Sequence, residues 1–526
     1  NEAVRKYIDY DEWGRVRIAK TMGDATEAVT WFDAAGRRIR IRDARGNMTF
    51  FYYDAQGRQV YAILRDPAAG GEVTETIYSS FNEVQVTVTH AKRLSTTDSA
   101  TLVGGKADAM LIAKVGLLSD ASVDSRTTVS YNRRGLIQQA IDALGYKTDT
   151  QYNAFGQLRQ EIRDIDSLGT AGARRLTLSY GYDRRGNATR TERSGPGLAS
   201  SVITGSNFDA LGRIVNTTDE LSRATQYIHL RDGGNGRKVI VTGPAGTAWT
   251  AYDALDRVLT RVDRTSNTVT YTHDAANRKL TVKTAEGIQT VMEYTRLGQV
   301  YRITDGNGAI TTYAYDNHGN LLTVTDALGN VTKNDYDAND NLVQVIRGLK
   351  VNASGAPIND GATTTTSYSF DAGNRVLTQT VDPLVNGVGL NLQTRYEYDG
   401  QGRKLKITDP RGTVTTQVFN AKGELSDVIV DDVTGGLKLK TSYRYDAQSR
   451  VLTVIDGAGT ASARKVAHAY DILGRRTSET VDPDGLKLKK VFIEGESPEA
   501  TAAIQRAVQV YADQPMTAID LDAVRA

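Results

Sequence analysis

A six-residue motif returns every 21 residues in the middle of this 526-residue chain. Its first residues there are Tyr252, His273, Tyr294, Tyr315 and Tyr336. A fixed period of this size predicts a chain built by stacking one small unit, whose apolar face is buried only by its neighbours. The length of the chain therefore does not predict several ordinary domains, because a repeat array grows in one dimension.

The motif, which we call the hexad, has an aromatic residue at position 1 and Asp or Asn at position 2. Position 5 is Gly, Asn or Asp in nearly every copy, and position 6 is often Arg. The copies include Tyr10, Asp11, Gly14, Arg15; Phe32, Asp33, Gly36, Arg37; Tyr53, Asp54, Gly57, Arg58; Tyr152, Gly156; Phe208, Asp209, Gly212, Arg213; Tyr252, Asp253, Arg257; Tyr315, Asp316, Gly319; Tyr336, Asp337; Tyr398, Asp399, Gly402, Arg403; Tyr445, Asp446, Arg450; and Tyr470, Asp471, Gly474, Arg475.

The chemistry of the hexad is that of a β-hairpin turn. Asp or Asn at position 2 can hold a tight turn by hydrogen-bonding its backbone, and position 5 tolerates the left-handed conformation that short hairpin loops need. A second turn follows about ten residues later, and in several units it has the form Asp-x-x-Gly, for example at 43–46, 142–145 and 326–329. We therefore expect one hairpin per unit. The position 6 Arg can stack on the aromatic ring of an adjacent unit or pair with its own Asp, forming a ladder.

Composition agrees with strands, since Tyr is plentiful (26 residues) and Pro is rare (9 residues). Successive hairpins pair edge to edge, and a long twisted sheet must curl. The sequence thus predicts an all-β fold, a spiralling antiparallel sheet of β-hairpin repeats. We expect four parts: a repeat sheet over 1–90, a helical or loop insertion over 91–125, the same sheet continuing over 126–490, and a helical C-terminal cap or plug over 491–526.

Bulk features argue against several functions. Lys and Arg number 64 against 62 Asp and Glu, which gives no electrostatic attraction for nucleic acid. The chain has no Cys, so it has no disulfide framework and no thiolate chemistry. No apolar stretch is long enough to span a bilayer. Because Asn1 is not Met and no leader follows it, we expect a piece of a longer protein whose export signal lies elsewhere.

Catalytic, cofactor and metal sites are not predicted. The five histidines (His90, His229, His273, His318, His468) are scattered, and none forms a pair at metal-binding spacing. Asp335, Asp337 and Asn339 alternate as in a calcium loop, but Asp340 and Ile346 stand where such a loop needs Gly and Glu. We interpret these carboxylates as turn residues and the protein as non-enzymatic.

Two stretches break the repeat. Between 97 and 120, Ala107, Met110, Leu111, Lys114, Val115 and Leu118 fall near helical spacing. This helix could plug an opening, or it could belong to a loop packed on the outside. From Ser497 an N-cap, Pro498 and Glu499 predict a second helix. A cap over the open sheet edge is the favoured interpretation of that helix, and a docking helix for a partner or cargo is the alternative.

From Tyr10 to Arg475 the Tyr-Asp hexad and its Asp-x-x-Gly partner turn resemble the YD repeats of RHS-type proteins. That family includes bacterial polymorphic toxins, the C component of insecticidal Tc toxins, wall-associated proteins and teneurins. The resemblance implies a hollow β-shell that, in the toxin members, holds a toxic domain. Those members also contain a segment that cuts off the toxin. Here only Asp482-Pro483-Asp484-Gly485-Leu486 matches it, so either the chain stops before that segment or it belongs to a member without cleavage.

Two functions follow from the resemblance. In the first, this is the shell of an exported bacterial protein, secreted or held at the cell surface. Its partners are a toxin or cargo polypeptide inside and a secretion-apparatus or plug domain. In the second, it is a cell-surface adhesin or structural protein that binds glycans or proteins through its outer face. An enzymatic β-propeller fits poorly, because propeller blades repeat at about forty residues.

Overall fold

The structure is a computed structural model, and it describes most of the chain. The described residues are 6–12, 14, 16–21, 28–165, 174–196, 198, 200–232, 236–351, 357–358, 363–384, 389–471, 473–485 and 487–491. Nearly all regular structure within these ranges is β-strand.

The first half of the sheet contains strands β1 (Lys6–Tyr10), β2 (Val16–Thr21), β3 (Ala28–Phe32), β4 (Arg38–Arg42), β5 (Met48–Tyr53), β6 (Gln59–Asp66), β7 (Gly70–Tyr78), β8 (Val84–Thr89), β9 (Gly105–Lys106), β10 (Ser125–Tyr131), β11 (Ile137–Ile141), β12 (Lys147–Tyr152), β13 (Leu158–Asp164), β14 (Arg175–Tyr182), β15 (Ala188–Ser194), β16 (Val202–Phe208), β17 (Ile214–Thr218), β18 (Ala224–Asp232), β19 (Gly236–Gly243), β20 (Gly246–Tyr252) and β21 (Val258–Val262). Two helices, α1 (Thr96–Ala100) and α2 (Ala109–Gly116), lie between β8 and β10.

The second half contains β22 (Thr268–Asp274), β23 (Lys279–Lys283), β24 (Gln289–Tyr294), β25 (Val300–Thr304), β26 (Ile310–Tyr315), β27 (Leu321–Thr325), β28 (Asn330–Tyr336), β29 (Leu342–Val351), β30 (Pro357–Ile358), β31 (Thr364–Phe370), β32 (Val376–Val381), β33 (Leu392–Tyr398), β34 (Lys404–Thr408), β35 (Val414–Phe419), β36 (Leu425–Val430), β37 (Leu439–Tyr445), β38 (Val451–Asp456), β39 (Arg464–Tyr470), β40 (Arg476–Val481) and β41 (Leu488–Val491).

All 41 described strands belong to one sheet, whose order follows the sequence. Each strand pairs antiparallel with the next, except that β8 pairs with β10 and β29 pairs with both β30 and β31. The short β9 is the exception in direction, because it pairs in parallel with the end of β5. The predicted all-β fold of antiparallel hairpins is therefore confirmed, and the sheet is open and spiralling.

An antiparallel meander places its turns alternately on two rims. We call one the hexad rim, which carries the turns that begin at Asp33, Asp54, Asp253, Asp371 and Asp399 and their repeats. The other is the second rim, which carries the connections that begin at Asp43, Asp142, Asp326 and Asp409 and their repeats, together with the segment between β8 and β10. The two rims meet because the sheet winds past a full turn. The hairpin turn between β4 and β5 contacts the turn between β28 and β29, a step of 24 strands (28 minus 4).

The main apolar core lies where the helical segment packs on the sheet. Leu111, Val115 and Leu118 contact a cluster that includes Phe50 and Ile63, and all of these side chains are buried. Met110, which the helical spacing included, is 67% exposed, so it does not belong to the buried face. Asp108 caps α2 by accepting a hydrogen bond from the Leu111 N–H. Both helices fall between 91 and 125. The predicted C-terminal helix lies outside the described residues.

Candidate functional site: the seam between spiral turns

Each hexad builds its own turn, and the copy at 253–257 shows how. The Asp253 carboxylate accepts hydrogen bonds from the backbone N–H groups of Leu255 and Arg257 at 2.9 Å each, and from Nε of Arg257 at 2.7 Å. The backbone closes the loop through Asp256 N to Asp253 O (3.1 Å) and Asp253 N to Arg257 O (2.9 Å). One carboxylate thus satisfies three donors that a four-residue turn would otherwise leave unpaired.

Position 5 adopts the left-handed conformation in most copies of the hexad, whereas in the copy at 273–278 Arg278 at position 6 does so. The φ of position 5 is +82° at Gly57, +66° at Asp256 and +61° at Asn374. The residue at position 1 coincides with a register shift, as between Glu397 and Tyr398. This combination of a tight turn, a left-handed residue and a bulge is a common hairpin connection, and it favours Gly, Asn or Asp at that position.

In five copies the position 6 guanidinium ties its hexad to the next hairpin. In Arg58, Nε donates to Asp54 (2.7 Å), the guanidinium lies 4.9 Å from the centre of the Tyr78 ring, and Nη1 donates to the Ser79 carbonyl (3.1 Å). The same stacking joins Arg37 to Tyr53, Arg375 to Tyr398, Arg403 to Phe419 and Arg450 to Tyr470. Both arrangements that the sequence suggested for this Arg, pairing and stacking, occur together in these copies.

In many copies the position 1 tyrosine hydroxyl joins its hexad to the preceding hairpin. Tyr315 donates to the Val300 carbonyl at 2.7 Å, and Tyr398 donates to the Val376 carbonyl at 2.8 Å. Tyr53, Tyr78, Tyr182, Tyr336, Tyr445 and Tyr470 make the corresponding bond. Position 1 therefore contributes both packing area and a specific bond, which explains why Tyr is so common there.

Turn formation also sets the ionisation of the position 2 carboxyls. Backbone hydrogen bonds from the turn, joined by the Arg213 side chain, lower the pKa of Asp209 to about 2. The same kinds of bond lower the pKa of Asp253. At Asp54, burial opposes the charge, yet the hydrogen bonds from Arg58 still bring the pKa below its ordinary value. The turns are therefore built around ionised carboxylates at neutral pH.

The structure distributes the predicted hexad residues over the whole length of the hexad rim. Asp11 and Gly14 form a turn at its start, with Gly14 N donating to Asp11 O at 3.0 Å, whereas Arg15 lies outside the described residues. Tyr10 is 54% exposed. Tyr152 lies before the turn that Asn153 and Gly156 close. The hexads from 336 to 475 differ from the others, because other parts of the chain cover their turns.

We call this covered zone the seam. It joins the second rim of the first spiral turn, between 43 and 198, to the hexad rim between 337 and 475. The hydrogen bonds that cross it join residues 278 to 329 positions apart. Besides the aromatic, Asp, Gly and Arg positions of the hexads, the seam includes Gly400, Gln401 and Lys422.

Arg45 holds the first part of the seam. Its guanidinium donates to the carbonyls of Phe370 (2.8 Å) and Asp371 (2.9 Å) and lies 3.2 Å from the Asp337 carboxylate. Its backbone N–H donates to Asn339, whose amide in turn donates to Asp43 at 2.8 Å. Two turns of opposite rims thus exchange side-chain and backbone bonds.

A buried ion cluster follows. Glu72 pairs with Arg93 at 2.7 Å and with Arg375, whose guanidinium also pairs with Asp371 at 2.6 Å. The Asp371 side chain is 2% exposed, and those of the other three are between 12% and 18% exposed. Burial raises the pKa of Glu72 although both arginines oppose that shift. Two cations and two anions balance one another here, which buried charges require.

The next hexad docks on the insertion through the backbone. Gly400 N donates to the Ala91 carbonyl at 2.7 Å. The Gln401 amide donates to the carbonyls of Thr89 and Val123, both at 2.8 Å, and so ties the two ends of the insertion to one turn. A Cβ on Gly400 would lie 2.6 Å from the His90 carbonyl oxygen, so this position needs Gly for close approach.

His90 stabilises the same two ends from inside. It is 2% exposed, with Nδ1 at 3.1 Å from Asp124 and Nε2 at 3.5 Å from Glu75. Asp124 also accepts from the N–H groups of Ala91 (2.9 Å) and Asp120 (2.8 Å). Burial disfavours the imidazolium, but hydrogen bonds to Glu75 and Asp124 hold the pKa of His90 above its ordinary value.

Sequence reasoning identified the hexads but missed the seam. Arg45 and Gln401 occupy variable positions of the two turn motifs, whereas Glu72, Arg93 and Asp124 lie outside those motifs. Their partners across the seam lie far along the chain. One signal was available. Hexad position 3 is Ala at 210, 254, 372, 421 and 447, whereas Gly400 departs from it. Such a departure indicates that another backbone approaches closely.

Comparison with known proteins bears on the repeat itself. The family model described as RHS Repeat matches residues 252–289, 294–331, 315–350 and 390–414. No curated protein matches the sequence.

Two similar solved structures have low sequence identity to this chain. The crystal structure of TcdB2–TccC3 is 13% identical, with 90% of this chain and 30% of that chain covered and a TM-score of 0.46. The Tc holotoxin pore of Photorhabdus luminescens is 14% identical, with 94% of this chain and 30% of that chain covered and a TM-score of 0.46. This chain thus spans under a third of those chains. Among the residues described, no helix is long and apolar enough to cross a membrane.

Proposed function

Because the RHS Repeat model matches four stretches of this chain, we propose that it is a wall segment of an exported bacterial shell that encloses a toxin or other cargo polypeptide. The observation that carries the proposal is the seam. Successive turns of the sheet bond to each other through Arg45, Glu72 and Gln401, which supports a wall that is joined across the seam. Such a wall separates two compartments, which an isolated repeat strip would not do.

The proposed role is structural rather than catalytic. The carboxylates that a catalyst would need are engaged by the fold, as Asp399 is by the N–H groups of Gln401 and Arg403. We also propose that the insertion of 91–125 reinforces the wall, since Ala91 at its start is bonded to Gly400 and Val123 near its end is bonded to Gln401. Export, and a plug or secretion-apparatus domain as partner, belong to the same proposal.

Protease protection in the intact parent protein tests the proposal. The cargo segment should resist digestion while the wall is intact and should become cleavable when Gly400→Ala loosens the seam. The matched control is Gly116→Ala, because a Cβ on Gly116 meets nothing within 4 Å.

Two outcomes would contradict enclosure. One is a cargo segment that is digested at the same rate with and without the seam substitution. The other is an electron-microscopy map of the intact protein that shows no lumen. Binding of purified shell to glycans through its outer face, with no enclosed polypeptide, would instead support the adhesin function.

A further inference from the structure

We propose that His90 is a proton-dependent latch for the seam, whose protonated ring fastens the insertion against the 399–403 turn and whose deprotonation loosens that contact. His90 lies directly after β8, where the chain leaves the sheet for the insertion. Its ring is 2% exposed, with Nδ1 at 3.1 Å from Asp124 and Nε2 at 3.5 Å from Glu75. Asp124 lies at the end of the insertion and Glu75 belongs to β7, so the ring joins the insertion to the sheet.

The backbone that His90 and Asp124 hold is the backbone that receives the 399–403 turn. Three carbonyls accept hydrogen bonds of 2.7 to 2.8 Å from that turn, and each belongs to a chain neighbour of His90 or Asp124. They are the carbonyls of Thr89, Ala91 and Val123. A movement of the ring relative to Asp124 therefore shifts the acceptors of the Gly400 N–H and the Gln401 amide.

Only a protonated ring can attract both carboxylates. When a neutral imidazole donates from Nδ1 to Asp124, its Nε2 directs a lone pair towards Glu75. A second proton removes that repulsion and places one cation between two anions. Nε2 has no well-aligned hydrogen-bond partner, so Glu75 acts on it chiefly through its charge.

The direction of the pH response follows from the surroundings of the ring. Burial disfavours the imidazolium, but Glu75 and Asp124 raise the pKa of His90 above its ordinary value of 6.5. Because the folded pKa is raised, the latch is closed below the ordinary pKa and opens as the pH rises through the folded value. The seam should therefore be tighter in mildly acidic than in mildly alkaline solution.

Other ionisable groups on the elements around His90 also respond to pH. Besides the two carboxylates, they are Tyr61 on β6, Glu72 on β7, Lys92, Arg93 and Asp120 in the insertion, Arg126 on β10, and Asp399 and Arg403 in the facing turn. Among these, burial raises the pKa of Glu72. Deprotonation of Glu72 strengthens its pairs with Arg93 and Arg375, so it tightens the seam as the pH rises. Its effect is opposite in sign to that of His90.

Hydrogen exchange of the 526-residue chain, followed by mass spectrometry at single-residue resolution, tests the latch from about pH 5 to about pH 9. The Gly400 N–H donates across the seam to Ala91. Its protection factor should fall by about tenfold as the pH rises, which is the effect of losing one hydrogen bond to a charged group. The Gly402 N–H donates to Asp399 within the same turn, so its protection factor should stay constant and provides the internal control.

Glu75→Gln separates a proton-dependent latch from a merely structural contact. The amide keeps an acceptor for the Tyr61 hydroxyl but no longer attracts an imidazolium. The midpoint of the loss of Gly400 protection should therefore shift to lower pH. In His90→Gln the protection should no longer depend on pH. His229→Gln, at a half-buried histidine outside the seam, should behave as the wild type.

The wild-type measurement needs no variant to fold and can overturn the proposal alone, if protection of Gly400 is as independent of pH as that of Gly402. A midpoint that Glu75→Gln leaves in place overturns it too, as does a pH dependence that persists in His90→Gln. The latch regulates the wall proposed above. Because exchange at Gly400 reports the seam directly, failure of the latch is distinguishable from failure of the cargo-protection test.

Discussion

The hexad turn at 399–403 and the one at 253–257 have nearly the same internal bonds in different surroundings. Their Asp carboxylates accept the position 6 N–H at 2.8 and 2.9 Å and the position 6 Nε at 2.6 and 2.7 Å. In the seam turn the Arg and Asp side chains are 13% and 5% exposed, whereas in the uncovered turn they are 40% and 18% exposed. Local sequence therefore determines the turn, and the spiral determines how deeply it is buried.

This difference in burial predicts that the two turns contribute different amounts to the free energy of unfolding. An exposed ion pair contributes little to stability, because water screens it and its side chains lose conformational freedom. A buried pair is costly to break, because removing one partner leaves a charge that water cannot reach. The same motif thus shapes hairpins along the uncovered rim and fastens one spiral turn to another in the seam.

The largest effect is expected from removing a seam carboxylate. Asp371→Ala leaves Arg375 with Glu72 as its remaining ion-pair partner, and Glu72 is already paired with Arg93. The substitution also removes the acceptor of the Gly373 and Arg375 N–H groups. We expect a loss of about 3 to 5 kcal/mol in the free energy of unfolding. Urea denaturation followed by circular dichroism would measure it.

Asp253→Ala is the matched control, since the same three turn bonds are lost on the uncovered rim. Its unfolding midpoint should move far less than that of Asp371→Ala. Equal losses from the two substitutions would show that the seam adds nothing to the turn's own contribution.

The second effect concerns a substitution that restores the common residue of the repeat. Gly400→Ala places Ala at position 3, as in other hexads, yet its Cβ would meet the carbonyl oxygens of His90, Ala91 and Lys92 at 2.6 to 3.0 Å. Overpacking against backbone costs about 1 to 3 kcal/mol. Thermal unfolding should show destabilisation, and hydrogen exchange should show loss of protection at 89–91 and 123–124. A stabilised variant would mean that the repeat pattern outweighs the seam contact.

Gly400 also marks how far sequence reasoning extends. The period, the Asp turns and the left-handed position 5 residues act within a few positions, so the hairpin and the continuous sheet could be predicted from them. The seam could not, because it depends on the pitch of the spiral. Pitch accumulates small twists over 24 strands, and one different strand count would place Arg45 opposite another turn. Its bonds to Phe370 and Asp371 have no local signature.

A smaller, pH-dependent effect is expected at His90. Both ring nitrogens face carboxylates, and a neutral imidazole can donate from only one of them. Because the folded pKa is raised, the stabilisation is fully present below the ordinary pKa and is lost as pH rises through the folded value. The wild-type protein should thus exceed His90→Gln in stability by a margin that shrinks by about 1 kcal/mol from mildly acidic to mildly alkaline pH.

The titration of groups near His90 must be distinguished from the titration of His90 itself. Glu75, Asp120, Asp124, Lys92 and the Tyr61 hydroxyl lie nearby, and the Tyr61 pKa is raised by burial and by Glu75. His229→Gln is the control, since that histidine is only half-buried, lies outside the seam and is bonded to the Ile214 carbonyl rather than to carboxylates. A margin that does not change with pH for His90→Gln would show that the imidazole stays neutral.

The smallest effect tests whether a hexad turn outside the seam keeps its carboxylate ionised through its own backbone hydrogen bonds. The pKa of Asp209 is lowered to about 2, chiefly by the backbone N–H of Arg213 and then by its side chain. Carbon-detected NMR of Asp-labelled protein should therefore give a pKa well below the ordinary value of 3.8. Because the backbone bond remains in Arg213→Gln, the pKa of Asp209 in that variant should rise only part of the way to its ordinary value. A return to the ordinary value would mean that the guanidinium, rather than the turn backbone, maintains the ionised carboxylate, so that even a hexad outside the seam depends on its own position 6 Arg.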